Sequence, residues 1–334
     1  MKAIDRMATL WRRWSSRRRA ATDLRQTQCP DGEPDGPVVF AVMRNESLRL
    51  PRFLDHYRSL GASRFVIVDN NSSDGTTGFL REQRDVCLYT TDSHFYGKEA
   101  WLDHLLHQHG VNRWCVVVDA DELLVYPDSD KVMLPDLCRY LEETRCNAVH
   151  AILLDLYPRE LSGNEDYRPG QDYLEKTWFF DPFSSLRKVP RHFTRGSGLD
   201  FRFEGGSRER IFGVAACCSK FPLFHYRPGM FLTDGQHYLE GGNFSELRAV
   251  LYHFKYLQDF APHVREEVVR GQHWKGAVEY HAYAEKLAGT ETTLVFHCPE
   301  SLQLTGIRQL EECGFLLRPP SLDAFSRRMG AANK

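Results

Sequence analysis

Cys115-Val-Val-Val-Asp119-Ala-Asp121-Glu122-Leu-Leu-Val125 decides how the rest of the chain is read. Its β-branched run predicts a buried strand, and an acidic cluster stands at the carboxyl end of that strand. In open α/β sheets, ligands bind just beyond the carboxyl ends of the strands. Asp119 and Asp121 lie two apart, so on extended chain they share a face and, as the chain turns, converge on one hard cation. Oxygen ligands suit Mg²⁺ or Mn²⁺, above all where a diphosphate completes the shell. A bare Asp-x-Asp is short, and solvated acids at a turn are its plain alternative, so context has to decide.

Working upstream, strand and helix alternate. Val38-Val-Phe-Ala-Val-Met43 predicts a strand that stops at Arg44-Asn45-Glu46. Leu50, Phe53, Leu54, Tyr57 and Leu60 have helical spacing, with Pro51 in the first turn and Gly61 as the stop. Arg64–Asp69 predicts a second strand, and the turn formers and caps of 70–76 open a helix over Thr77–Arg84. Val86–Tyr89 is a third strand and Lys98–Gln108 a third helix. Four such alternations in about 80 residues imply an α/β fold with a mainly parallel sheet flanked by helices. The ends carrying Arg44-Asn45-Glu46, Asp69-Asn70 and Asp119-Ala-Asp121 then share one sheet edge. Three polar clusters on one edge point to a site, whereas one alone would not.

Downstream, Leu134–Arg145 predicts a helix and Ala148–Leu156 a strand. Residues 158–200 have weak periodicity, as a loop-rich insertion would, and the last 70 read as helices without identifiable chemistry. Before the body, residues 1–36 read as a basic tail with a Pro/Gly linker. The first 25 residues hold eight Lys/Arg against Asp5 and Asp23, leaving 35 basic against 43 acidic elsewhere, a net of −8. That distribution argues against nucleic acid as a partner. Trp11, Trp14 and the arginines of residues 2–19 suit peripheral contact with an anionic membrane. Nine cysteines, an odd number without Cys-x-x-Cys spacing, read as reduced and mostly buried. No apolar run approaches the ~18 residues of a span, and no apolar core follows the N-terminal arginines. The expectation is a cytoplasmic protein, at most peripheral at the inner face of the membrane.

In combination, the strand ending in Arg-Asn-Glu, the run Val-Ile-Val-Asp69-Asn-Asn-Ser-Ser-Asp-Gly-Thr76 and Val-Val-Val-Asp-Ala-Asp-Glu-Leu-Leu resemble the nucleotide-sugar-binding half of family 2 glycosyltransferases. The subgroup is the one whose acidic motif continues with Glu and an apolar pair. The likeness covers residues 37–126, and more weakly 200–260 through Gly-Gly-x-Arg-x-Arg, Ser-Lys-x-Pro-Leu and His-Phe-Lys-Tyr-Leu. It implies a GT-A fold of the nucleotide-diphospho-sugar transferase type, a nucleotide-diphosphate sugar donor, and Mg²⁺ or Mn²⁺. The catalytic domain is then 37–260, with a nucleotide-sugar half (37–126) and an acceptor half (127–260), and 261–334 is a C-terminal helical extension.

On that resemblance Asp119 touches ribose or metal and Asp121 ligates the metal. Asp69 and Asn70 offer in-plane donors and acceptors to a base, with Arg44, Asn45 and Glu46 beside them. Asp74 reads more simply as a helix cap, and Glu122 as a cap of its turn. His253 and Lys255 share a face of an extended segment, so imidazole and ammonium can meet metal and phosphate. Arg208 and Arg210 could grip diphosphate or form a structural ion-pair cluster, and Lys98 could meet phosphate. An inverting hexosyl transfer onto a glycan or lipid-linked acceptor of a surface polysaccharide needs a base. Glu204, Glu209, Asp234 and His237 are the candidates. The rival readings are a non-catalytic glycan- or membrane-surface-binding module and a haloacid-dehalogenase-type phosphatase. The latter carries its Asp-x-Asp on the first strand, followed by Gly and Thr, which is not the arrangement here.

Overall fold

The computed structural model describes residues 16–161, 172–190, 199–272, 274–289 and 293–332. Nine strands form one mixed sheet: β1 (Arg25–Gln28), β2 (Val38–Met43), β3 (Arg64–Asp69), β4 (Val86–Thr90), β5 (Arg113–Val117), β6 (Glu122–Val125), β7 (Ala148–Asp155), β8 (Ser219–Tyr226) and β9 (Phe244–His253). Their order is β1-β4-β3-β2-β5-β8-β7-β9-β6. The β4-β3-β2-β5 block is parallel, and β7 and β9 are parallel to each other. Antiparallel pairing brings in β1, β8 and β6. The expected α/β class is seen, with helices flanking a sheet that is mixed, its central strands mostly parallel.

The helices are α1 (residues 16–23), α2 (Leu50–Ser59), α3 (Thr76–Arg81), α4 (Lys98–His109), α5 (Leu134–Glu143), α6 (Ser207–Phe212), α7 (Phe260–Arg270), α8 (Trp274–Ala288), α9 (Ile307–Glu312) and α10 (Pro320–Ala332). β2 is buried at every position because helices cover both sheet faces. Val39 and Ala41 meet Leu50, Phe53, Tyr57 and Leu137 on one face, while Val38 and Phe40 meet Trp101 and Leu105 on the other. Each buried Val, Leu or Phe among them contributes about 1.5–3 kcal/mol of apolar burial. Gly61, at φ +89°, ends α2 in the left-handed conformation that glycine adopts without Cβ strain.

Two departures from the sequence reading matter. Residues 25–28 are an edge strand on β4, and Cys29 is disulfide-bonded to Cys87 of that strand. The domain therefore begins before residue 37, and not all cysteines are reduced. Polar Arg-Gln-Thr-Gln lacks the apolar alternation by which strands are recognised, because an edge strand can face water. The C-terminal helices are also no appendage, since Leu310, Phe315, Leu322 and Phe325 join the core beneath the sheet. Among the described residues no helix is long and apolar enough to cross a membrane. The expected membrane contact of residues 2–19 lies largely outside the described residues, as does part of the 158–200 insertion.

Candidate functional site

Parallel strands deliver their carboxyl ends to one edge, and an antiparallel strand begins there. This rim therefore carries Arg44 and Glu46 after β2, Asp119–Asp121 after β5, Asp155 ending β7, His253 and Lys255 at the end of β9, and Lys220 near the start of β8. They surround a cavity of about 340 Å³, apart from Asp155, which lies just behind its wall.

Asp119–Asp121 form the turn between β5 and β6, two strands on opposite sides of β8, β7 and β9. Glu122 shapes the turn: its carboxylate accepts the Asp119 N–H at 3.0 Å, while its own N–H reaches the Asp119 carbonyl at 3.1 Å. Phe254 N–H donates to the Asp121 carbonyl at 2.8 Å, tying the end of β9 to the turn. The Asp119 carboxylate receives Lys98 Nζ at 2.5 Å and Lys220 Nζ at 2.9 Å. Lys220, 3% exposed, also bonds Glu122. Burial opposes ionisation of Asp119, but Lys220 and Lys98 override it and hold the carboxyl low.

His253 lies in register with Asp155 on one neighbouring strand and Glu122 on the other. Its Nδ1 bonds Asp155 at 2.6 Å and its Nε2 bonds Asp121 at 2.9 Å. Burial disfavours the imidazolium, yet the two carboxylates outweigh it and raise His253 to about 9. Asp155 is shared with Arg208, which is buried and reaches Glu279 of α8 at 3.4 Å. Lys255 stands 5.0 Å and 5.5 Å from the ring centroids of Tyr280 and Tyr283. Among the described residues, it is the lining Lys or Arg that makes no ion pair.

Metal fit can be tested on this donor set. Neighbouring ligands of an octahedral ion about 2.1 Å away stand about 3 Å apart, and Asp121 Oδ2 and His253 Nε2 are 2.9 Å apart. Asp155 on Nδ1 supplies the outer carboxylate that commonly orients a ligating histidine. Asp121 and His253 therefore fit a divalent cation that replaces the Nε2 proton, and the nitrogen donor favours Mn²⁺ over Mg²⁺. Asp119 fits less well, because both its oxygens face lysine ammonium groups.

Other expected residues land elsewhere. Asp69 does not line the cavity: its oxygens accept the hydroxyls of Ser72 and, at 2.7 Å, Thr77. Asn70 is buried and donates to the Thr91 and Ser93 carbonyls. Asn45 bonds Glu266 and Ser73. Arg44 does line the cavity, but its guanidinium holds the Asn70 and Asn71 carbonyls and Glu266. Asp74 accepts from Thr76 in its own loop and from the Ser47 N–H of the segment after β2. Arg210 pairs with Asp181, while Glu204 and Glu209 are held by Arg202 and Arg187. Asp234 is an exposed turn residue with φ 55°. Partners within the fold, some of them distant in sequence, already hold the side chains of these residues other than the exposed Asp234.

Of the four expected bases only His237 lines the cavity. Its Nδ1–H donates to the Ser219 carbonyl at 2.8 Å, leaving the lone pair on Nε2. Burial, with Lys220 adding, pushes His237 down to about 3. Glu46 goes the other way: burial, opposed by Arg49 and reinforced by Asp121 and Asp259, raises it to about 8.

Sequence reasoning missed Lys220, Arg49, Glu267, Arg270 and Glu279, all of which line the cavity. Lys220 alone had a signal, a lysine beginning an otherwise apolar strand. No family model and no curated protein matches the chain.

Proposed function

We propose that the protein is a metal-dependent glycosyltransferase of GT-A type, related to the family 2 enzymes its motifs resemble. It transfers a sugar from a nucleotide-diphosphate donor to a glycan or lipid-linked acceptor. One observation carries this reading. The acidic turn after β5 faces a cavity whose walls combine a cation-competent pair, Asp121 and His253, with the unpaired ammonium of Lys255. Such a site suits a ligand that is itself polyanionic and arrives with a metal. A bound divalent cation would neutralise charge on the diphosphate leaving group.

The remaining work falls to the chain. Lys255 attracts a phosphate oxygen, and the Tyr280 and Tyr283 rings restrict where its ammonium sits. Asp155 fixes the His253 ring. Among the lining groups, Glu46 and His237 can accept an acceptor-hydroxyl proton. Glu46, held near 8, has the proton affinity a base needs around neutral pH, and His237 is far weaker.

A nucleotide-binding module without catalysis is the second reading, favoured by the lysine pairs that already satisfy Asp119. Donor hydrolysis separates the two. With Mn²⁺ and a panel of sugar nucleotides, the enzyme should slowly release nucleoside diphosphate, and Asp121→Asn should lower that rate by about 10²–10³. Thermal stabilisation by a donor without turnover would support the module. Neither stabilisation nor turnover with any donor would remove the assignment.

A further inference from the structure

At the opposite side of the sheet from Asp121, three side chains meet that the proposed transfer does not use. Cys29 follows β1, Cys87 is buried in β4, and His109 ends α4. Both sulfurs and one nitrogen of the His109 ring lie within 4.8 Å of one another. Cys87 and Tyr89 are two apart on one strand and so share a face. The Tyr89 hydroxyl donates to Gln26 Oε1 at 2.8 Å, and its oxygen lies 2.8 Å from His109 Nε2. Because that phenol proton is committed to Gln26, Nε2 carries the hydrogen and Nδ1 carries the lone pair. Beside the cluster opens a cavity of about 320 Å³ lined by Cys29, His109, Glu33, Arg64 and Arg113.

We propose that, once the Cys29–Cys87 disulfide is reduced, these two thiolates and His109 hold a soft divalent cation such as Zn²⁺, with the fourth position open to that cavity. Two sulfurs and an imidazole are a zinc donor set. Zn–S bonds of about 2.3 Å and Zn–N bonds of about 2.0–2.1 Å set tetrahedral ligands roughly 3.4–3.8 Å apart, a spacing the two sulfurs reach by separating once their bond is broken, with His109 already within 4.8 Å of both. A bond from a neighbouring group to the other ring nitrogen is the usual way a ligating histidine is oriented, and with Nδ1 as the ligand Tyr89 supplies it on Nε2. Three protein ligands with one open position describe an accessible ion.

The chemistry balances with a dithiol as reductant. It breaks the Sγ–Sγ bond, delivers two electrons and two protons to Cys29 and Cys87, and leaves as its own disulfide. Metal binding then releases those two thiol protons to solvent. Either bond, disulfide or metal, ties residues 16–29 to β4, so the edge strand stays fastened in both redox states. This site shares no residue with the cavity around Asp121.

The test uses the full chain, reduced with a dithiol that is then removed, and titrated with Co²⁺ and Zn²⁺. One equivalent of Co²⁺ per chain should bind with thiolate-to-cobalt charge-transfer absorption and be displaced by Zn²⁺, while the oxidised chain shows neither. Cys29→Ser and His109→Ala should each weaken binding at least ~10-fold. Circular dichroism checks their folding, and Cys29→Ser, at a half-buried position, spares the strand interior that Cys87→Ser would disturb. A reduced chain that binds no cobalt would leave the trio a simple staple and overturn the proposal. So would a folded His109→Ala chain with wild-type affinity.

Discussion

The tips of β3 and β5 lie on the same edge of the same sheet, and both carry aspartate, at the last residue of β3 and in the turn just after β5, yet they meet different fates. Asp69 finds its partners at Ser72 and Thr77, three and eight residues on, and closes its own loop. Asp119 and Asp121 find theirs at Lys98, Lys220 and His253, brought from three other segments. Helix α7 widens the contrast by fastening Glu266 to Arg44 and Asn45, and Arg270 to Asn70. A carboxylate with hydroxyls in its own loop becomes part of that loop. One whose partners come from distant strands is left facing a cavity.

The comparison can be broken most forcefully at Lys220. Lys220→Met leaves Glu122 buried without its ammonium partner and should cost about 3–5 kcal/mol in denaturant unfolding. A loss below ~1 kcal/mol would mean that the β5 tip is held locally after all.

A somewhat smaller effect should appear with pH. His253 is raised from 6.5 to about 9 in the folded chain, so its stabilisation is complete below pH 6.5 and is lost as pH rises through 9. The difference is on the order of 3 kcal/mol. His253→Gln should flatten that alkaline limb in unfolding measurements between pH 6.5 and 9. An unchanged slope would show that the imidazolium bridge to Asp121 and Asp155 contributes little. Glu46, raised from 4.5 to about 8, loses its contribution as pH rises between those values, so the part of the slope below pH 8 should survive the substitution.

The smallest effects belong to β3. Thr77→Val should cost about 1 kcal/mol, the worth of one hydrogen bond, and Ser72→Ala about 2 kcal/mol, because its Oγ also accepts the Asn45 N–H at 2.9 Å; both should leave donor hydrolysis within about twofold. A large loss of hydrolysis in either would return Asp69 to the binding site.

By itself the sequence determined the alternation of strands and helices from Val38 to Val118, because apolar period and turn chemistry are local properties. It also determined that the β2, β3 and β5 ends share an edge, since parallel βα units leave no other arrangement. Only the tertiary structure decided which of those ends opens to a cavity. Lys220, Asp155 and Glu279 lie 99, 34 and 158 residues beyond Asp121, and nothing in local spacing brings them together. The polar edge strand β1 and the Cys29–Cys87 bond escaped the sequence for the same reason. Pairing across a sheet edge is fixed by which strand stands outermost, and a single strand's pattern does not record its neighbours.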